Sequence, residues 1–157
     1  MKKTSLFLVA ICLLFLSCEK TPVNEWDRYY GFSKDDIVGH YEANPDESLY
    51  QDLPTPGVTV YNNATIDITP LSDNAISIRL VIPSVINKVF SGAFNNDEES
   101  SDLVLRNFNE DIMMTVYRND KGQIRLHGRE KRYRYDADGN LVDSNYYGFD
   151  VIKSTEN

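Results

Sequence analysis

The sequence predicts an all-β protein, an antiparallel meander with at most one or two short helices. From Ile37 onward, apolar residues recur with the period of two that a half-buried strand shows, and not with the helical period of 3.6. The C-terminal third contains three strand-like runs, DIMMTVYR, QIRLHGREKRYRY and NLVDSNYYGFDVI. The joints between them, NDKG and DADG, each supply a glycine able to take a positive φ, as short hairpin loops require. These runs predict a three-strand meander.

The elements before this meander are predicted from shorter patterns. Ser33 followed three residues later by Asp36 predicts the N-terminus of a short helical turn. The runs GVTVY and ATIDIT flank two asparagines, which predicts two strands across a polar turn. AISIRLVI alternates apolar and other residues, which predicts one half-buried strand. The following stretch, PSVINKVFSGAFNNDEESSD, is expected to begin as a helix and to pass into an acidic loop over residues 95–102.

The N-terminus has the layout of an export signal. Lys2 and Lys3 precede an apolar run from Leu6 to Leu16, which is too short to span a bilayer as a helix. The run ends in LLFLSCEK, where a small residue and Cys18 stand before a charged pair. This stretch resembles the signals of bacterial lipoproteins, in which a peptidase cuts before a cysteine that then carries acyl chains such as palmitate. An ordinary secretory signal or a buried N-terminal helix are the alternatives.

The resemblance divides the chain into a signal peptide at 1–17, a tether at 18–33 and a single domain at 34–157. Cys18 would then be the sole cysteine of the mature chain, so the domain would contain no disulfide. Loss of the two signal lysines would leave 14 basic residues against 24 acidic ones. This acidic balance argues against binding to nucleic acid and against electrostatic attraction to anionic lipid. Contact with the membrane would therefore come from the lipid on Cys18.

The domain itself resembles a known family at both ends. IVGHYE, residues 37–42, is similar to the opening strand of lipocalin-like (calycin-like) domains, which often begin with Gly-x-Trp; Gly39 matches and Tyr41 takes the place of the tryptophan. The closing YYGFDVIK is similar to their last strand. Small lipoproteins of Bacteroidetes-type bacteria often carry such domains, most without an assigned function. The resemblance implies a meander closed into a barrel whose mouth takes an apolar ligand.

Two groups of residues are candidates for binding. If the barrel is hollow, the inward side chains of its strands should line a ligand cavity, whereas in a filled barrel the same side chains are plain core. These candidates are Ile76, Ile78, Leu80, Ile112, Met114 and Val116. Trp26, Tyr29 and Tyr30 are candidates for an exposed interaction surface, with the alternative that they pin the N-terminus onto the domain.

Catalytic and metal-binding patterns are weak. The sequence contains no nucleophile elbow, phosphate-binding glycine loop or HExxH motif, and its two histidines have no second metal-ligand type at zinc-like spacing. His127 is expected to face solvent. Asp136, Asp138 and Asn140 imitate the start of a calcium loop, but Leu141 and Tyr147 stand where the EF-hand loop needs glycine and glutamate. A weak calcium site at Asp136, Asp138 and Asp143 is the alternative. We therefore predict no enzyme, no cofactor and no metal.

The resulting functional hypothesis is a lipid-anchored lipoprotein of the bacterial cell envelope, at the outer membrane, on a side that the sequence leaves open. Its domain would bind a small apolar or amphiphilic ligand. The alternative is a solid β-domain that recognises another envelope protein or a glycan. An exposed aromatic patch would favour this alternative.

Overall fold

The computed structural model describes residues 26–44, 50–52, 58–60, 63–95, 97–107 and 109–155. The predicted signal peptide, its cleavage point and Cys18 lie outside the described residues. Eleven strands and one short helix make up the described part, which confirms the all-β prediction. The strands are β1 (Asp27–Arg28), β2 (Gly39–Ala43), β3 (Tyr50–Asp52), β4 (Val58–Val60), β5 (Thr65–Ser72), β6 (Ala75–Ile82), β7 (Ile86–Ala93), β8 (Asp102–Arg106), β9 (Glu110–Arg118), β10 (Ile124–Tyr135) and β11 (Leu141–Lys153), and the helix is α1 (Lys34–Ile37).

All strands belong to one antiparallel sheet with the order β1-β9-β10-β11-β2-β5-β6-β7, while β8 also pairs with β9 and β3 pairs with β11 and β4. The predicted C-terminal meander, β9-β10-β11, is confirmed. Strand β7 ends this order, and β8 lies beside β9 near the other end. These two strands are in contact but form no hydrogen-bonded ladder within the described residues. A Cβ added at Gly92 of β7 would lie only 3.1 Å from Leu105 of β8. The sheet therefore curls far enough to bring β7 close to β8, but in the described part of the chain it is not closed into the barrel that the sequence predicted.

Two predictions differ from the structure. The runs GVTVY and ATIDIT both contain strands, as predicted, but within the described residues β4 pairs with β3 and not with β5 across the polar turn. The stretch after Ile82, expected to begin as a helix, is strand β7. A turn in which Ser84 takes a φ of 62° sends the chain back along β6, where all eight residues of β7 find partners. Isoleucine, valine and phenylalanine favour such a strand, so tertiary pairing outweighed the weak helical signal.

The inner face of the curled sheet is apolar, as the alternation in β6 predicted: Ile76, Ile78, Leu80 and Ile82 are all buried. One end of this interior is closed by α1 and the segment before it, through buried Phe32 and Ile37. The helix begins with a capping box between Ser33 and Asp36, which confirms the predicted N-cap.

The closed end is also tied together by hydrogen bonds. Tyr41 of β2 is fully buried and donates its hydroxyl to the carbonyl of Ile37 at 2.7 Å, and burial raises the pKa of this hydroxyl far above its usual range. Lys34 reaches the carbonyl of Ser72 at 2.9 Å, and Lys153 reaches the carbonyl of Asp36 at 2.8 Å. The helix is therefore fastened to both halves of the sheet.

Candidate functional site

At the end of the interior opposite α1, the inward side chains change from apolar to charged. Lys88 comes from β7, Glu110 from β9, and Glu130 and Arg132 from β10. In the cross-strand register Arg132 lies opposite Glu110, and Glu130 lies opposite the buried Ile112. We call these four side chains the mouth cluster. Two cations and two anions thus stand directly on top of the hydrophobic core.

Glu130 is the centre of the mouth cluster. Its Oε1 accepts hydrogen bonds from Lys88 Nζ at 3.3 Å and from Arg132 Nε at 2.8 Å. Lys88 also pairs with Glu110, and the Arg132 guanidinium lies 5.2 Å from the centre of the Tyr147 ring. Burial acts to lower the pKa of Arg132, but its hydrogen bond and charge interaction with Glu130 outweigh this and raise that pKa. The cluster is a connected network and not a set of separate surface pairs.

Exposure in the mouth cluster decreases with depth. The side chains of Arg132 and Glu110 are 36% and 33% exposed, that of Lys88 is 22% exposed, and that of Glu130 is 0% exposed. Although Glu130 is fully buried, its Oε2 has no hydrogen-bond partner among the described residues. A buried polar atom without a partner costs about 1–3 kcal/mol. Directly beneath the exposed part of the mouth cluster there is thus a buried acceptor without a partner.

The six predicted cavity residues lie below this mouth in one buried hydrophobic cluster, with exposed fractions between 0% and 2%. The structure thus brings together the strands that the sequence assigned to one interior. Their role as the lining of a ligand cavity stays a prediction.

The outer face of the sheet carries a second polar arrangement. Asp102 on β8 faces Thr115 on β9, Thr115 faces His127 on β10, and His127 faces Asp150 on β11. This register produces a row of four polar side chains across four strands. Thr115 donates to Asp102 at 2.7 Å, and His127 Nδ1 lies 3.0 Å from Asp150. Because an ionised carboxylate only accepts, Nδ1 of His127 is the donor in this hydrogen bond.

Asp150 is almost fully buried and is held by several donors. The Nε of Arg125 lies 2.9 and 3.0 Å from its two oxygens, and the side-chain amide of Asn44 lies 3.3 Å away. The Arg125 guanidinium in turn lies 5.8 Å from the Trp26 ring and 5.6 Å from the Tyr117 ring. The prediction that His127 simply faces solvent therefore describes only part of its environment, because a buried carboxylate fixes its orientation.

A groove of about 290 Å³ runs along this row, and we call it the outer groove. Its walls include the polar side chains of Asp102, Thr115, His127 and Arg129, with Met113 as an apolar element. Gly148 lies opposite Arg129 and supplies no side chain, so it opens space beside Asp150. The groove is mixed in charge, with an acidic group at one side and a basic group at the other.

The aromatic residues predicted as an interaction surface have unequal environments. Trp26 is half-buried beside Arg125. Tyr29 is half-buried; its backbone N–H donates to Val116 at 2.9 Å and its hydroxyl donates to Asp36 at 3.1 Å. Tyr30 is 52% exposed. Two of the three side chains thus contact the domain, and one projects from it.

The β10–β11 hairpin forms a further groove of about 640 Å³, lined in part by Tyr133, Tyr135 and Asn109. The two tyrosine rings lie 6.4 Å apart at 31°. Tyr135 is partly exposed, and the exposed Leu141 lies opposite it in the β10–β11 ladder. The hairpin groove combines an aromatic pair with polar side chains such as Arg134 and Asp136 near the tip of the longest strands.

The alternative calcium site falls on the same hairpin. The Asp136 carboxylate accepts hydrogen bonds from the backbone of Asn140 at 2.8 Å and of Asp138 at 3.0 Å. Hydrogen bonds from Asn140, first of all that of its backbone, lower the pKa of Asp136. The Asp143 side chain lies outside the described residues. Within the described part of the chain, no group of three or more His, Cys, Asp or Glu side chains is arranged to hold a metal ion.

Two central residues of these sites, Glu130 and Asp150, were missed by the sequence reasoning. Both carried a signal, because each is an acidic residue close to apolar residues of a strand. Glu130 occupies an inward position in the alternation that starts at Ile124 and Leu126. Asp150 lies between the buried Phe149 and Val151. An acid in such a position requires partners, and only the fold shows which ones.

Comparison with protein-family models, curated proteins and solved structures gives no match to this chain. In the part of the chain that the structure describes, no helix combines the length and the apolar character needed to cross a bilayer.

Proposed function

We propose that this protein is a lipid-anchored lipoprotein of the bacterial cell envelope whose lipocalin-like domain binds a small amphiphilic ligand. The ligand's polar group lies in the mouth cluster and its apolar part enters the interior below. Three features support the lipocalin-like architecture: the helix that closes one end, the contact between β7 and β8, and the resemblance of the opening and closing strands.

The observation that carries the proposal is the buried, unpartnered Oε2 of Glu130. It is an acceptor, and Lys88 and Arg132 are already paired with Glu110 and Glu130. The polar group of the ligand is therefore a donor, such as a hydroxyl or amide, and not a free carboxylate, for which the cluster has no additional cation. The packed side chains beneath must shift to admit an acyl chain, and Met114 is the most adaptable of them.

Native mass spectrometry of the chain purified from a bacterial host tests this proposal, followed by titration with a monoacylglycerol and with the fatty acid of the same chain length. We expect a bound mass that is lost on denaturation, and tighter binding of the monoacylglycerol. The variant Glu130→Leu should lose this preference, because it removes the acceptor at the floor of the mouth.

Glu42→Leu is the matched control, since Glu42 is an exposed acid on the outside of β2. It should bind like the wild type. Bare polypeptide mass together with no binding of either lipid contradicts the proposal, and equal binding of both lipids contradicts the role of Glu130. Circular dichroism of each variant separates a binding defect from unfolding.

The anchoring part of the proposal rests on LLFLSCEK and is tested separately. Cells fed labelled palmitate should label the wild type and not Cys18→Ala, and only the wild type should remain in the membrane fraction. Palmitate labelling of Cys18→Ala equal to that of the wild type contradicts attachment at this cysteine.

A second candidate is an interaction module that docks another envelope protein through the hairpin groove. The exposed Tyr135 of that groove and the exposed Leu141 opposite it in the ladder favour it, because aromatic and aliphatic surface suits a protein better than a hydrophilic ligand. In-cell crosslinking from position 135 should then capture a defined protein, and Leu141→Asp should abolish the crosslink. A ligand-binding protein without this function would give no defined crosslink.

A further inference from the structure

We propose that the outer groove is a second binding site, separate from the mouth, that takes one ring of a neutral saccharide. The inference stands on the polar row Asp102–Thr115–His127–Asp150 and the space beside it. This groove lies on the face of the sheet opposite the core, so the ligand of the mouth does not reach it.

The groove is rich in acceptors that are held in place. Asp102 accepts from Thr115, whose proton is thereby used, so the threonine oxygen is left to accept. The bond between His127 Nδ1 and Asp150 leaves the ring's Nε2 to hydrogen-bond a ligand hydroxyl, which can both donate and accept. Arg129 adds a donor group from the next outward position of β10. Acceptors and a donor around one space match hydroxyl groups, which both donate and accept.

The charges of the groove favour a neutral ligand. Asp102 and Arg129 balance one another, and the charge of Asp150 is already met by Arg125. A phosphate or carboxylate would be repelled by the carboxylate of Asp102, and an organic cation would be repelled by the guanidinium of Arg129. Neither charged class therefore finds a matching site along the whole groove.

The spacing of the row argues for several hydroxyls on one ring. Adjacent strands lie about 4.8 Å apart, so the backbones carrying Asp102 and His127 are separated by about 10 Å. One ammonium group, as in an amino acid, cannot bond to both ends of such a row. A sugar ring presents hydroxyls around its edge and can span the space between the side chains at the two ends of the row. The groove volume of about 290 Å³ is at the lower end for ligand sites, which suits one ring.

The side chains of the row are fixed before any ligand arrives. Asp150 is 4% exposed, and Arg125, Asn44 and His127 all bond to it. A buried carboxylate that orients a half-exposed imidazole reduces the rotamer entropy lost on binding. Met113 provides an apolar patch for the C–H face of a ring, and Gly148 leaves the space open.

Saturation-transfer NMR on the full chain, in a detergent without a sugar head group, tests the proposal. The probes are glucose, galactose, mannose and N-acetylglucosamine, with zwitterionic glycine and anionic acetate as competitors. We expect saturable binding of at least one sugar and no competition by glycine or acetate. Asp102→Ala and Arg129→Ala should each weaken this binding about tenfold, since each removes a hydrogen bond to a charged group.

Arg79→Ala is the matched control, because Arg79 is an exposed arginine on β6, away from the groove. It should leave sugar binding unchanged. Asp102 and Arg129 are themselves exposed, so their replacement leaves the core intact, which circular dichroism verifies. Absence of binding by all four sugars, unchanged binding in both groove variants, or displacement of the sugar by glycine would each overturn the proposal.

Discussion

The sheet contains two His–Asp pairs that consist of the same residue types but have different surroundings in the fold. His40 on β2 lies opposite Asp67 on β5, and His127 on β10 lies opposite Asp150 on β11. In both pairs the Nδ1 of the ring meets the carboxylate, at 2.5 Å and 3.0 Å. Each half of the sheet therefore carries one cross-strand pair of the same chemistry on its outer face.

The environments of the two carboxylates differ. The Asp67 side chain is 39% exposed, and Glu42 lies 4.0 Å from the His40 ring. The Asp150 side chain is 4% exposed and also binds Arg125. An exposed pair contributes little to stability because water and salt screen it, whereas a buried carboxylate requires its partners. Burial of the carboxylate, and not the residue pair, distinguishes the candidate site from ordinary surface.

The largest expected effect compares the two carboxylates directly. Asp150→Ala leaves the Arg125 charge without its buried partner, so we expect the free energy of unfolding to fall by about 3–5 kcal/mol. Asp67→Ala removes an exposed pair and should cost less than about 1 kcal/mol. Urea unfolding followed by circular dichroism measures both values.

Asp150→Asn serves as the control for shape, because it keeps the size of the side chain and some of its hydrogen bonds. Its free energy of unfolding should lie between that of Asp150→Ala and that of the wild type. Equal losses in Asp150→Ala and Asp67→Ala would show that burial does not separate the two pairs.

A second comparison uses one glycine from each half of the sheet, Gly128 and Gly92. A Cβ at Gly128 of β10 would lie 2.2 Å from the carbonyl oxygen of Met113, so the backbone must shift. We expect Gly128→Ala to lower the free energy of unfolding by about 2–3 kcal/mol. At Gly92 of β7 the nearest atom is a methyl group of Leu105 at 3.1 Å, which can move. Gly92→Ala should therefore cost less than about 1 kcal/mol.

The same denaturation experiment decides this comparison, and chemical shifts of the outer groove give a second readout. Gly128→Ala should displace the resonances of His127 and Thr115, whereas Gly92→Ala should not. If both variants are equally stable, the close approach of β9 and β10 at Gly128 is not a constraint on the fold.

The two halves of the sheet are bridged at the mouth by Lys88, which extends from β7 to acids on β9 and β10. Lys88→Met keeps the length of the stem and removes the charge. Because Arg132 still bonds to Glu130, the free energy of unfolding should fall only moderately, by about 1–2 kcal/mol. Arg79→Met, on the exposed face of β6, is the matched control and should change stability by less than about 0.5 kcal/mol. Equal changes in the free energy of unfolding for Lys88→Met and Arg79→Met would mean that Lys88 in the mouth cluster stabilises the fold no more than an ordinary surface charge does.

The comparison also shows what the sequence could predict. The alternation in β6 and the glycine joints of the β9–β11 meander identified strands and inward residues, because period two and turn chemistry are local properties. The partners of Asp150 and Glu130 depend on which strands become neighbours. Residues 44 and 150 are distant in sequence and bond only because β2 pairs with β11. Strand β7 was mistaken for the start of a helix because its support is the ladder with β6.

The smallest expected effect concerns α1, which joins the halves at the closed end. Partial burial acts to raise the pKa of Asp36, but hydrogen bonds from Ser33 and Tyr29 outweigh it, and the net pKa is lowered. A carboxyl with a lowered pKa in the folded state stabilises the fold above its unfolded pKa, near 3.9, and this contribution disappears as pH falls through the folded value.

Asp36→Asn removes the charge and keeps an acceptor. It should be less stable than the wild type at about pH 6, by less than about 1 kcal/mol since Asp36 is only partly buried, and this difference in stability should disappear at about pH 2. Urea titrations at both pH values measure the gap, with Asp35→Asn as the control on the same helical turn. A gap that stays constant between the two pH values would mean that the cap acts through its shape and not through its charge.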